Sequence, residues 1–87
     1  DEAEKTILDE KIQIILNKIE ERAEVTITFF KPDEKKTGGV YVSKKGIVRK
    51  VDSYTKEIVL LDNTRIEIEQ IVDISGDIFG MADGLLW

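Results

Sequence analysis

The sequence contains no cysteine and no histidine, and each absence excludes a class of chemistry. Without cysteine there is no disulfide, no thiolate ligand for zinc or an iron–sulfur cluster, and no thiol nucleophile. Without histidine the chain lacks the side chain that most often serves as a general base and as an imidazole metal ligand. We therefore expect no catalytic residue, no metal site and no cofactor, and we interpret the protein as a non-enzyme.

Proline and long apolar runs are also scarce. The 87 residues include one proline, and the composition is 41% hydrophobic and 36% charged, which is typical of a globular domain rather than a disordered segment. A chain of this size buries roughly two-thirds of the surface that its unfolded form exposes, which is enough for one core. No apolar run in the sequence reaches the roughly 18 residues of a membrane span, and we expect no leader that directs secretion. We expect a cytoplasmic protein that does not contact a membrane.

Apolar residues at intervals of three and four predict an amphipathic helix over residues 7–23. Thr6, followed three residues later by Asp9, is a candidate capping pair at its start. A helix of about 17 residues is marginal alone in water, so we expect its apolar stripe to pack on the rest of the chain. The stripe consists of Leu8, Ile12, Ile15, Leu16, Ile19 and Ala23.

Residues 24–75 are predicted to form about five short strands joined by tight turns. Residues 24–31 repeat with a period of two and are rich in β-branched and aromatic types, and Pro32 ends this strand. Gly38-Gly39 indicates a loop or an extended hairpin tip, and Gly46 predicts a bulge or sharp bend. The predicted fold class is α+β, with the N-terminal amphipathic helix packed on a small, strongly bent antiparallel sheet or barrel.

The charge is unevenly distributed. The net charge is −5, yet residues 25–56 carry eight basic and three acidic side chains. This basic hairpin region is a candidate surface for a nucleic acid or a protein partner, with Tyr41 and Tyr54 as rings on which bases could stack. The alternative interpretation is a set of solvated strand faces. The candidate binding residues are Lys31, Lys35, Lys36, Lys44, Lys45, Arg49 and Lys50.

Residues 76–87 form an apolar C-terminal tail that is broken by Gly80 and Gly84. Glycines at this spacing disfavour a stable helix. The tail either folds back over the sheet or inserts into a groove of a partner. Its candidate partner-binding residues are Ile78, Phe79, Leu85, Leu86 and Trp87.

Residues 5–75 resemble the YolD-like family. The resemblance is carried by GIVRKVD at residues 46–52 and by LDNTRIEIEQIVDI at residues 61–74, which combine apolar alternation with an acidic turn. The order of helix and strands also resembles that of Sm-like barrels, which is a likeness of architecture and carries no function. We therefore treat residues 1–75 as a single YolD-like domain.

The resemblance implies an accessory function. Members of the family are small proteins of Gram-positive bacteria, phages and mobile elements, proposed as counterparts of UmuD, the accessory subunit of a translesion DNA polymerase. A serine–lysine dyad of the UmuD kind cannot be assigned to Ser43 and Lys44, because neighbours on a strand point to opposite faces. We expect a non-catalytic protein-interaction domain that binds a Y-family polymerase in the SOS response to DNA damage. The alternatives are a single-stranded nucleic-acid-binding barrel, a phage-borne inhibitor of a host protein, and a homodimer paired through a sheet edge.

Overall fold

The computed structural model describes residues 2–79 of the chain. The α+β prediction is confirmed, because one helix packs on a five-stranded antiparallel sheet. The elements are α1 (Glu2–Asn17), a 3-10 turn (Ile19–Glu21), β1 (Glu24–Pro32), β2 (Gly39–Asp52), β3 (Glu57–Leu60), β4 (Arg65–Glu67), a second 3-10 turn (Ile68–Gln70) and β5 (Ile71–Gly76).

The helix begins and ends earlier than the predicted range of residues 7–23. The sequence before residue 7 contains good helix formers, so the helix can begin earlier. Thr6 therefore lies inside α1, and the predicted capping pair is wrong. After Asn17 the chain makes one 3-10 turn, and Arg22 adopts a left-handed conformation with φ 52°, from which β1 follows. Within residues 2–79, no helix is both long enough and apolar enough to cross a bilayer.

The five strands follow the order β4-β3-β2-β1-β5, and every pairing is antiparallel. Strand β2 pairs with β1 from Gly39 to Ile47 and with β3 from Val48 onward, so it belongs to both halves of the sheet. The register between β2 and β3 shifts at Arg49, so the bulge lies three residues beyond the predicted position at Gly46. Gly46 instead allows close packing, since a Cβ there would lie 3.2 Å from Cδ1 of Leu60.

Aspartate side chains stabilise two of the predicted turns. The carboxylate of Asp52 accepts hydrogen bonds from the backbone N–H groups of Tyr54 and Thr55, at 3.0 and 3.1 Å. The carboxylate of Asp62 accepts one from the N–H of Thr64 at 2.9 Å, and Asn63 between them has φ 70°. Asparagine tolerates this left-handed conformation better than most residues. Asp52 and Asp62 thus each stabilise a turn that the sequence predicts.

The core lies between α1 and the sheet. Among the described residues it contains no buried polar or charged side chain. Ile12 and Ile15 are the buried residues of the helix, whereas Leu16, predicted in the same stripe, is 39% exposed. The sheet and the segment after it contribute Val25, Ile27, Val48, Ile58, Leu60, Ile66, Ile71, Ile74 and Phe79.

Adjacent helix residues provide a direct test of this packing. Ile15 is 3% exposed, and we expect Ile15→Ala to lower the free energy of unfolding by about 2–5 kcal/mol through lost burial and a residual cavity. Leu16→Ala is the matched control and should have a much smaller effect. Urea denaturation of both variants measures the difference, and equal losses would contradict the assigned helix face.

Candidate functional site

The seven basic residues proposed from the sequence do not form one surface. Neighbouring Lys44 and Lys45 point to opposite faces of β2. The ammonium of Lys44 lies 3.0 Å from a carboxylate oxygen of Asp62, and that of Lys45 lies 3.6 Å from one of Glu24. Both lysines are therefore partly neutralised by acidic neighbours within the domain.

The other five basic residues fall into two separate groups. Lys31, Lys35 and Lys36 lie at the outer end of the β1–β2 hairpin, and Arg49 and Lys50 lie near the opposite end of β2. Within residues 2–79, none of the five forms an ion pair. The structure thus separates the predicted site into a hairpin group and a bulge group.

Three carboxylates with perturbed pKa values have structural roles. Hydrogen bonds from the hydroxyl and the N–H of Thr64, together with the ammonium of Lys44, hold the pKa of Asp62 far below its usual range. The guanidinium of Arg65, 2.9 Å from Glu57, lowers the pKa of that carboxyl. These groups stay ionised near neutral pH and hold turns and strands together.

The pKa of Asp52 is lowered as well, chiefly by the hydrogen bond from the N–H of Thr55. Its carboxylate also lies 3.8 Å from the guanidinium of Arg65, which joins the β2–β3 turn to β4. Across the described part of the chain, no three carboxylates are grouped so that they could hold a metal ion.

Among the described residues, an open groove with a volume of about 1020 Å³ lies between α1 and β5. We call it the α1–β5 groove. One wall is formed by the middle of the helix, from Ile7 to Lys11, and the other by β5 and the 3-10 turn before it, and Tyr41 of β2 also lines it. The principal wall residues are Ile7, Leu8 and Lys11 on α1, and Ile71, Val72 and Asp73 on β5.

Three large apolar or aromatic side chains are exposed at this groove. Ile7 is 54%, Tyr41 69% and Val72 55% exposed. Val72 is exposed because the register shifts beside it: Thr28 pairs with Asp73 and Phe29 with Ile71, which leaves Val72 without a partner on β1. Apolar side chains gathered at one concave surface are typical of interaction sites.

The rim of the α1–β5 groove is mainly acidic, with Asp9, Glu69 and Asp73 against Lys11. The ammonium of Lys11 donates to Oδ1 of Asp73 at 3.0 Å and to the carbonyl oxygen of Ile74 at 2.8 Å. Lys11 therefore links the helix to β5 along one side of the groove. The ion pair with Asp73 partly neutralises its charge within the domain.

The predicted partner-binding tail divides into two parts. Phe79 is buried in the core, with the ammonium of Lys11 5.5 Å from its ring centre, and Ile78 packs against the core beside it. This part of the tail therefore follows the alternative in which it folds back over the sheet, and partner binding by Ile78 and Phe79 stays a prediction. Leu85, Leu86 and Trp87 lie outside the described residues.

Sequence reasoning missed the α1–β5 groove, although two signals point to it. Ile7 is apolar but lies beside the predicted helix stripe rather than on it. Val72 follows another apolar residue and so breaks the alternation of its strand. Apolar residues that do not fit the period of the buried set are candidates for an exposed binding surface.

Comparison with known proteins adds no relative. No protein family, no curated protein and no solved structure matches this chain. Function is therefore inferred from the α1–β5 groove and the residues around it.

The lowered carboxylate pKa values predict how stability depends on pH. A carboxyl whose folded-state pKa is depressed contributes stability above its ordinary pKa of about 4, and this contribution is lost as the pH falls toward the folded-state value. Asp62→Asn should therefore lower the melting temperature at pH 7, and its difference from the unmodified protein should shrink in acid. Glu34→Gln on the exposed hairpin tip is the control. If the difference in melting temperature between the Asp62 variant and the unmodified protein stays constant down to about pH 2, the assigned interaction is contradicted.

Proposed function

We propose that the protein is a non-catalytic accessory domain that binds a protein partner in the α1–β5 groove. The observation that carries the proposal is the convergence of Ile7, Tyr41 and Val72 on this groove, each more than half exposed. Covering them with a partner would remove apolar surface from water, at about 25 cal/mol per Å². Residues of this kind usually supply the central contacts of a protein interface.

The rim of the groove indicates which kind of segment it would accept. The apolar lining beside Asp9 and Glu69 matches a partner segment with apolar residues on one face and lysine or arginine along its margins, whereas Asp73 is already paired with Lys11. The basic hairpin supports a binding function less well, since Lys44 and Lys45 have acidic partners and the other basic residues form two separate groups.

The proposed family and the finer architecture agree with this function. We propose membership of the YolD-like family on the resemblance of residues 46–52 and 61–74, and the order of one helix followed by five strands is compatible with it. A β2 strand shared by both halves of the sheet, and a core built from both halves, support the proposal of a small Sm-like barrel. Membership of this family implies a Y-family translesion polymerase as the partner and DNA-damage tolerance as the role, and we propose both.

Binding measurements with such a polymerase test the proposal. Val72→Asp or Ile7→Asp should weaken the affinity at least about tenfold, equivalent to about 1.4 kcal/mol, because each places a charge where apolar contact is proposed. Leu61→Asp, at an exposed apolar residue outside the groove, is the matched control and should bind as the unmodified protein does.

Titration calorimetry gives the affinities, and circular dichroism confirms that the variants are folded. If the groove variants bind as tightly as Leu61→Asp, the groove is not the docking surface.

A further inference from the structure

We infer that two copies of this chain pair through residues 39–43 of β2, so that the sheet of one copy continues antiparallel into the sheet of the other. The occupant of this edge is the same segment of a second copy. The inference goes beyond the proposed function, because it concerns an edge of the sheet rather than the α1–β5 groove, which is lined on β2 by Tyr41.

Within residues 2–79, the first part of β2 is paired on one side only. Residues 39–47 pair with β1, whereas β3 pairs with β2 from Val48 onward. The turn after β3 reaches back to Ile47, whose carbonyl oxygen accepts a hydrogen bond from the N–H of Leu61 at 2.9 Å. Across the described part of the chain, no backbone group pairs with residues 39–43 on that side, so they form a free strand edge.

The hydrogen-bond pattern identifies which backbone groups point outward. The N–H of Asp33 donates to the carbonyl oxygen of Gly38 at 3.0 Å, and the register of the hairpin continues unbroken from this pair. Bonded pairs alternate in an antiparallel ladder, so Val40 and Val42 direct their backbone groups to β1. The carbonyl of Ile47 points away from β1, as the same alternation requires. The residues that direct N–H and C=O groups away from β1 are Gly39, Tyr41 and Ser43.

Other edges of the described sheet have features that oppose pairing. β4 has three residues. At β5 the ammonium of Lys11 donates to the carbonyl oxygen of Ile74 at 2.8 Å and so occupies an acceptor of that edge. β1 ends in Pro32, which has no N–H to donate. Short strands, lysines and prolines commonly protect edges, and residues 39–43 include neither lysine nor proline.

The composition of this edge favours pairing. Residues 37–43 form the longest uncharged run of a chain that is 36% charged. Val40 and Tyr41 belong to the β-branched and aromatic types that favour strands, and they are 59% and 69% exposed. Lys44 and Lys45 follow the run, and their ammonium groups lie 3.0 and 3.6 Å from carboxylate oxygens of the same chain. These carboxylates reduce the repulsion that two lysine pairs would otherwise cause.

The segment is complementary to itself. A two-fold axis at Tyr41 places this residue opposite Tyr41 of the second copy, Val40 opposite Val42, and Gly39 opposite Ser43. Each outward N–H of one copy then meets a carbonyl oxygen of the other. Aromatic and β-branched cross-strand pairs are favourable, and no lysine lies opposite another lysine. A two-fold contact closes on itself, so it gives a dimer rather than a filament.

Sedimentation velocity of the full chain over a concentration series tests the pairing. We expect the mass of two chains at high concentration and that of one chain on dilution. Ser43→Pro should weaken the dimer at least about tenfold, because it removes an N–H that each copy donates to the other. Proline is tolerated in an edge strand where the missing N–H faces solvent, so the β1–β2 pairing should persist.

Ser43→Ala is the matched control. Both variants lose the contact between the hydroxyl groups of Ser43 and Thr28, which lie 2.9 Å apart, but alanine keeps the backbone N–H. Ser43→Ala should therefore dimerise as the unmodified chain does.

Cross-linking provides a second test that does not need the proline variant. The chain has no cysteine, so a variant with a single cysteine forms a disulfide only with a second copy. Tyr41→Cys should cross-link under mild oxidation at least about tenfold faster than Tyr54→Cys, because the pairing holds the two introduced thiols opposite each other. Tyr54 is a suitable control, since it is 94% exposed and lies in the turn between β2 and β3.

The inference is overturned if the unmodified chain keeps the mass of one chain up to millimolar concentration. It is also overturned if Ser43→Pro and Ser43→Ala dimerise equally, or if the two cysteine variants cross-link at the same rate. If circular dichroism shows that Ser43→Pro is unfolded, the cross-linking rates decide. Neither assay contains a polymerase, so the result is independent of the proposed function.

Discussion

Strand β2 is the element on which the rest of the fold depends, because it pairs with β1 along its first part and with β3 along its second. The change of partner at Val48 joins the two halves of the sheet, and side chains from both halves pack in one core. Two features accompany this change of pairing partner. Gly46 packs closely on Leu60, and the bulge at Arg49 shifts the register between β2 and β3.

The α1–β5 groove results from incomplete coverage of this sheet by the helix. Ile12 and Ile15 pack on the core, and Lys11 fastens the helix to Asp73 and to the β5 backbone. Beyond Lys11 toward its N-terminus, the helix and β5 enclose open space, and their apolar side chains face it. The packing that stabilises the domain therefore also produces its candidate binding surface.

The sequence predicted the helix, the strands and the turns because these depend on local periods and on residues such as Pro32, Asp52 and Asn63. It did not predict the earlier start of α1, the bulge at Arg49 or the exposure of Val72. The last two depend on register between strands, which is decided by long-range packing. The basic residues were predicted as one site because sequence proximity cannot show that Lys44 and Lys45 face opposite sides and meet separate acidic partners.

Hydrogen–deuterium exchange of the full chain, alone and with a Y-family polymerase, tests most directly the central claim that the α1–β5 groove is the docking surface. The account predicts slower exchange on binding at Ile71–Asp73 of β5 and along Ile7–Lys11 of α1, with little change in the hairpin tip at residues 33–38. Slower exchange confined to the hairpin tip, or no change anywhere, would contradict it.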